Sequence, residues 1–399
     1  MTSLTAPTRR RLALVALAAA VLSLNLAYLA TVPIGLFPEE AQYWDWSRHL
    51  DWSYYSKGPL IAWMIALQTR LFGVNELAVR SGALLCALGT ALLLYALGRR
   101  LHSHRAGMTA AVVWLVTPLF SSYQPLMLTD APLNLFWALA LYAAVAALDF
   151  PAETASPPPR WILLLGLALR IGFLAKYSIL LLAPPLALVL LWQRRFVAWL
   201  RSPALWGAVG LALLLAAPVL WWNAARDWPT LKHVAHLAGV GRESRLFLGR
   251  TLGDQFATVT PPLFLALLAL MAANARARVG AARQFLAWSA ILPLLFFLAK
   301  SLQSKVEANW PAVAYLGALV LLGIWWAEQA RPPRWLRALA WASLTLLVIL
   351  SVTLRLVPWS YQWGLGKWTR PLDLTRQAVG NREIGRAVGR WRDRQRAAT

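Results

Sequence analysis

The chain has 399 residues, 59% of them apolar, and 39 Lys and Arg against 16 Asp and Glu, for a formal net charge of +23. Its mean hydropathy of +0.54 lies well outside the soluble globular average. Apolar runs of roughly twenty residues recur along most of its length and do not alternate with polar residues, which excludes a closed β-barrel and leaves a polytopic helical membrane protein. In a soluble chain the charge would point to nucleic acid. Here much of it sits in short Arg clusters between apolar runs, the pattern that orients membrane helices, so no nucleic-acid partner is read from it. Cys86 is the only cysteine, which rules out an intrachain disulfide.

The first ten residues are polar and end in Arg9-Arg10, followed by Arg11. The apolar run from Leu12 to about Val32 is long enough to span and reads as a retained first helix with a cytoplasmic N-terminus. The next stretch, Gly35 to Pro59, reads GLFPEEAQYWDWSRHLDWSYYSKGP. It is too polar to cross a bilayer, and the topology puts it on the outer face with one or two short interfacial helices. It packs Glu39, Glu40, Asp45, Arg48, Asp51 and Lys57 among six Trp and Tyr residues, in a chain only 14% charged. Acids beside a lysine and an aromatic shelf suit a site that holds an amphiphile at a membrane surface. An interfacial segment anchored by its Trp and Tyr explains the same composition equally well.

Leu60 to Phe72 is apolar but short. The second span runs from Glu76 to Gly98, and Arg99 to Arg105 form a cytoplasmic turn. A third span from Gly107 to Phe120 leads to the outer loop SSYQPLMLTDAP, and a fourth runs from Ala131 to Leu148. Trp161 to Trp192 is apolar except for Arg170, Lys176 and Tyr177, and reads as two short helices meeting outside near Lys176. Further spans are expected at Ala204–Trp222, Phe256–Ala273, up to Lys300, Trp310–Trp326 and up to Leu356. The result is an all-α bundle of about eleven transmembrane helices over residues 1–356, with a short basic tail over 357–399. Eleven spans put that tail outside, whereas its arginines (Arg382 to Arg396) pull toward the inside.

On this topology the outer side gathers Glu39, Glu40, Lys57, Asp130, Lys176, Lys305, Glu307 and Asn309. Charges near membrane depth are costly and face a cavity or one another. A sugar on a lipid phosphate already carries a good leaving group. The enzyme must cradle that phosphate with cations and take a proton from an acceptor hydroxyl, work for lysines and a carboxylate. Each residue also has a structural explanation. Asp130 follows Thr129 and precedes Ala-Pro, as a helix N-cap would. Glu40 could cap or solvate the interfacial helix, and Lys57 could snorkel. His233 and His236 are spaced i, i+3, but no neighbouring carboxylate or cysteine completes a metal site. No metal ligand set is assigned, and a divalent ion is left open.

The stretches PEEAQYW and LDWSYYSKGPLIAW, followed in order by LTDAPLNLFWALALY, GFLAKYSILLL and KVEANWPAVAYL, resemble bacterial glycosyltransferases of families 39 and 83. These include protein O-mannosyltransferases and the lipid A aminoarabinose transferase, on the GT-C fold. The resemblance covers most of residues 30–325. It implies a bacterial inner-membrane enzyme that moves a sugar from a polyprenyl-phosphate donor to a glycolipid, polysaccharide or protein acceptor, with inversion. An Asp-Glu pair in the first outer loop is catalytic in that family. Here it is Glu39-Glu40, so Glu39 takes the position of the base with one more methylene. The resemblance further matches Tyr43, Tyr54 and Lys57 to donor-phosphate contacts and Asp130 to a second active-site acid. Lys176 and Asn309-Trp310 match positions near the donor cavity, and Lys305 is the remaining lysine expected to meet the phosphate. Many members of the family end in a soluble outer domain where this chain has its short tail. A flippase for an anionic lipid, or an inactive scaffold, would carry the same charges for other reasons.

Overall fold

The computed structural model describes residues 6–150, 157–237, 246–276, 279–369, 378 and 380–398. Among these residues all regular structure is helical. The chain opens with α1 (Ala6–Thr31), the short α2 (Pro38–Ser47) and α3 (Leu60–Phe72). It continues through α4 (Glu76–Leu101), α5 (His104–Val116), α6 (Pro118–Tyr123), α7 (Asp130–Leu148) and α8 (Pro159–Ala175). A 3₁₀ segment, Tyr177–Leu182, joins α8 to α9 (Ala183–Trp192), α10 (Phe196–Leu200), α11 (Pro203–Ala224) and α12 (Pro229–Leu237). Then follow α13 (Leu248–Val259), α14 (Pro261–Asn274), α15 (Ala281–Ser301), α16 (Ala312–Glu328) and α17 (Arg334–Ser360). The tail holds α18 (Gly366–Thr369) and α19 (Asn381–Ala398).

Each predicted span has a helix at its place. Among the described residues, α4, α7, α11, α15 and α17 are long and apolar enough to cross a membrane alone. Proline explains most breaks in the others. Thr117 is extended ahead of Pro118, so the third span restarts as α6. The span expected over Phe256–Ala273 is instead a pair, α13 and α14, bent by 103°. Thr260 there takes φ +73°, and Pro261-Pro262 behind it offers no N–H to continue the ladder. The two helices expected to meet near Lys176 are α8 and the 3₁₀–α9 segment, and Lys176 itself is extended (φ −158°, ψ 129°).

The core is the α4, α5, α7, α8, α15 and α16 bundle. α7 is sheathed on all sides, with Leu133, Trp137, Leu141 and Val145 fully buried. α11 and α17 lie at the rim and expose Leu213, Leu214, Trp221, Trp335 and Trp341, as helices facing lipid do. Small residues let the inner helices close. A Cβ on Gly323 of α16 would lie 2.2 Å from the carbonyl oxygen of Ala106 on α5, and one on Gly107 would lie 2.2 Å from that of Tyr95 on α4. Apolar packing gains little between helices in lipid, so such backbone approach carries much of the association.

The two ends of the bundle differ. At one, Arg100 pairs with Asp149 at 3.0 Å and Arg283 with Glu328 at 2.6 Å. Arg105 Nη1 donates to Gln329 O at 3.1 Å, and Gln193 Nε2 donates to Gln284 Oε1 at 2.7 Å. Arg100 and Arg105 belong to the turn predicted to be cytoplasmic. The tail joins the opposite end: Arg382 Nε donates to Glu76 Oε1 at 3.0 Å, Asn381 Nδ2 to Leu36 O at 2.9 Å, and the Gly35 N–H to Ala378 O at 3.2 Å. The tail therefore shares the end of the bundle that carries the first loop. Replacing Gly323 by Val should force α5 and α16 apart and cost about 1–3 kcal/mol; a thermal unfolding midpoint in detergent equal to that of the unaltered chain would contradict this packing.

Candidate active site

The site is built on one buried ion pair. Pro38 starts α2 at the position where a missing N–H costs nothing, and Glu39 and Glu40 fill its first turn, where the helix dipole favours acids. Glu40 turns inward and is fully buried. Its carboxylate accepts from Arg80 Nε at 3.0 and 3.2 Å, from Arg80 Nη2 at 2.7 Å, from the Phe37 N–H at 3.0 Å and from the Met127 N–H at 2.8 Å. Arg80, 1% exposed on α4, also donates to Gly35 O at 2.8 Å. One carboxylate thus ties together the first loop, α4 and the loop that ends in Asp130. Sequence reasoning overlooked Arg80. The available signal was a lone arginine inside an apolar span, which calls for an acidic partner.

Asp130 is the first residue of α7, but it does not cap the helix. Thr129 occupies the N-cap position and makes no side-chain capping bond. The Asp130 carboxylate instead accepts from Lys176 Nζ at 2.9 Å and from Asn309 Nδ2 at 3.1 Å. Residues 130, 176 and 309, far apart in sequence, therefore meet. The break after α8 makes this possible by ending the helix at Lys176. Gly58 makes the second approach possible, because a Cβ there would stand 2.2 Å from the Leu174 carbonyl oxygen. It brings Lys57 beside the end of α8.

Lys57 is half-buried. Burial, and then the nearby Lys176 ammonium, push it below the ordinary lysine value, and Asp130 and Glu39 only partly offset this. Tyr43 is buried, and desolvation followed by the Asp130 and Glu39 carboxylates holds its phenol above the usual range despite a hydrogen bond with Thr129. It stays a neutral donor at every physiological pH. Glu39, next to Glu40, points the other way. It is exposed, and among the described residues no ion pair takes its carboxylate.

Beside this cluster lies a cavity of about 620 Å³, lined by Lys57, Lys176 and Lys300, with Trp310, Phe297 and Leu181 on its apolar wall. Lys300 stands over the Trp310 ring at 5.3 Å and donates to Ser304 Oγ at 2.6 Å. It had been noted only as the end of a helix. Two expected donor contacts lie elsewhere. Lys305 is half-exposed, pairs with Glu307 at 2.6 Å and does not line the cavity. The Tyr54 ring stacks on Trp46 at 4.5 Å. Its hydroxyl donates within reach of Trp46 O at 3.1 Å and His49 O at 3.0 Å and accepts from the Asp51 N–H at 3.1 Å. It is consumed in bracing its own loop. Among the described residues no three His, Cys, Asp or Glu side chains gather around one point for a metal ion.

A bundle of this connectivity, with a charged first loop folded back over the helix ends, is the GT-C fold of polytopic membrane glycosyltransferases. The resemblance drawn from the loop motifs is borne out. Residues 56–222 match the family model described as dolichyl-phosphate-mannose-protein mannosyltransferase. Lipid A galacturonosyltransferase RgtD of Rhizobium johnstonii is 30% identical over 320 residues, covering 79% of this chain and 64% of that protein. The undecaprenyl phosphate-alpha-4-amino-4-deoxy-L-arabinose arabinosyl transferase of Erwinia tasmaniensis is 29% identical over 354 residues, covering 81% and 61%. The chain thus spans less than two thirds of the length of these relatives. The crystal structure of ArnT from Cupriavidus metallidurans bound to undecaprenyl phosphate superposes with a TM-score of 0.65 at 19% identity, over 94% of this chain and 75% of that one.

Removing one partner of the central pair leaves an uncompensated charge in the core. Arg80→Met or Glu40→Leu alone should each cost about 3–5 kcal/mol, and the double variant should regain most of that. Unfolding in detergent by heat or denaturant reads all three, and a double variant no better than the sum of the singles would count against the pair as described.

Proposed function

We propose that the protein transfers a sugar from a polyprenyl-phosphate donor to an acceptor hydroxyl at the outer face of the bacterial inner membrane. The observation that carries this reading is the convergence of Asp130, Lys176 and Asn309, with Lys57 and Glu39 in electrostatic range, at the edge of a lysine-lined, half-apolar cavity. A lipid-linked phosphate needs both surfaces, cations for its head and an apolar wall for the start of its chain. The arginine-rich turns at the opposite end support an outward-facing cavity.

In the proposed step, the acceptor oxygen attacks the anomeric carbon as the carbon–phosphate-oxygen bond breaks. One displacement inverts the centre. Glu39, exposed and in no ion pair among the described residues, accepts the hydroxyl proton. Lys57 and Lys176, with Lys300 at the far wall, meet the charge that grows on the departing phosphate. Two ammonium groups held close repel each other, and a phosphate between them relieves that repulsion. Asp130 keeps Lys176 and Asn309 in place and turns toward the acceptor. Tyr43 offers a neutral hydroxyl beside the two acids. Glu40, with both oxygens occupied, positions Glu39 and Asp130 and takes no proton. The name of the Rhizobium johnstonii relative favours a lipid A-type glycolipid as the acceptor.

The test uses the full chain in liposomes, with galacturonosyl and 4-amino-4-deoxyarabinosyl polyprenyl phosphates as radiolabelled donors. Glu39→Gln should lower kcat about 10²–10⁴-fold with little change in donor KM; undiminished transfer would remove Glu39 from the mechanism. The lowered pKa of Lys57 sets a sign for the pH profile. Its charge is lost as pH rises, starting below the ordinary lysine range. Donor KM should therefore climb on the alkaline side, and Lys57→Arg should flatten that climb while Lys57→Ala raises KM at every pH. A profile unchanged by both substitutions would contradict the role given to Lys57.

A further inference from the structure

The tail has a design that the transferase reading leaves unused. α19 spans eighteen residues, a length of about 27 Å. Ile384, Val388 and Trp391 follow the i, i+4, i+7 spacing that puts them on one face, and they are 61%, 57% and 58% exposed. Arg390 and Arg394 lie toward one side of that stripe and Arg392 toward the other, while Arg386 falls on the far face. The helix carries six arginines against only Glu383 and Asp393. An apolar stripe edged on both sides by arginine is the pattern of a helix lying in a membrane interface.

Its attachment sets where it can lie. Arg382 is bound to Glu76, Asn381 to Leu36 O and Ala378 O to Gly35 N–H, all at the cavity end of the bundle. Between the end of α17 and this anchor, Trp363, Leu365 and Trp368 are 58%, 49% and 83% exposed, a composition typical of headgroup depth. The tail thus leaves a lipid-facing helix, passes through interfacial tryptophans and is tied down again beside the first loop.

We propose that α19 is an interfacial helix that docks on the anionic lipid surface on the cavity's side of the membrane. Ile384, Val388 and Trp391 enter the headgroup region, and Arg390, Arg392 and Arg394 bind lipid phosphates. The anchor passes the docked position on to Gly35 and Leu36, a few residues ahead of Glu39, where a Cβ on Gly35 would already meet the Arg382 backbone nitrogen at 2.9 Å. This proposal does not depend on the chemistry assigned to the cavity.

The full chain, with Cys86→Ala to remove the native thiol and Val388→Cys to carry a spin label, is placed in nanodiscs of phosphatidylcholine alone or mixed with phosphatidylglycerol. Collision with oxygen and with a water-soluble nickel chelate reports depth. The label should be shielded from the chelate in the anionic discs and open to it in the neutral ones. Reversing Arg390, Arg392 and Arg394 to Glu should abolish the shielding, by more than the roughly fivefold in partitioning expected for each arginine merely neutralised and so by more than about 100-fold for three. Arg382 stays intact in that variant, so the anchor is kept. A label open to the chelate in anionic discs, or shielded equally after charge reversal, would overturn the proposal. So would dipolar broadening between labels, since a second copy would then cover the stripe.

Discussion

The arrangement depends on a single carboxylate. Glu40 accepts from an arginine on α4 and from two backbone N–H groups in two different loops. Neither loop has regular structure of its own to fix its path at that point. Outside a fully satisfied network, burying this carboxylate and guanidinium would cost several kcal/mol per ion. Inside it, every strong acceptor direction is used, and the loops have no other arrangement that leaves both charges paired. The pair therefore acts chiefly as a register. It sets Glu39 at the start of α2 and Asp130 at the start of α7 in a fixed relation across some ninety residues of chain.

The second ion pair does different work. Asp130 and Lys176 meet at 2.9 Å and are 13% and 18% exposed, against 0% and 1% for Glu40 and Arg80. Their partial solvation, next to a cavity, leaves both able to exchange partners when a charged ligand arrives. Lys57 sits beside them without a carboxylate in salt-bridge contact among the described residues. A ligand phosphate would supply the anion that this corner lacks. Two pairs of the same chemical type thus separate by burial into one that holds the frame and one that borders the cavity.

Breaks in the helices place the charged groups. Extended backbone at Lys176 ends α8 beside the cavity, and the restart at Pro118 carries Leu119 and Phe120 to the pocket that Asp130 and Asn309 also line. Irregular backbone at membrane depth is tolerated where it is buried in protein or lines a cavity. The long, unbroken α11 and α17 stand at the lipid-facing rim and carry little of the site.

Much of this was legible in the sequence. Hydropathy alone dictates a membrane bundle, because lipid leaves an unpaired backbone no other solution, and the arginine turns divide its two ends. The loop motifs pointed to Glu39, Lys57, Asp130, Lys176 and Asn309 as one neighbourhood. Residue type alone could not distinguish Glu39 from Glu40; only the resemblance gave Glu39 the position of the base. One is exposed and the other wholly buried, because a helix turns about 100° per residue and only one of them faces Arg80. Tyr54 and Lys305 look like ligand contacts by residue type, yet their partners are Trp46, His49 and Asp51 for one and Glu307 for the other. Composition and spacing fix which residues can be charged or buried near a membrane. Which acid meets which base is decided by long-range packing, since the desolvation of a charge depends on neighbours that lie far away along the chain.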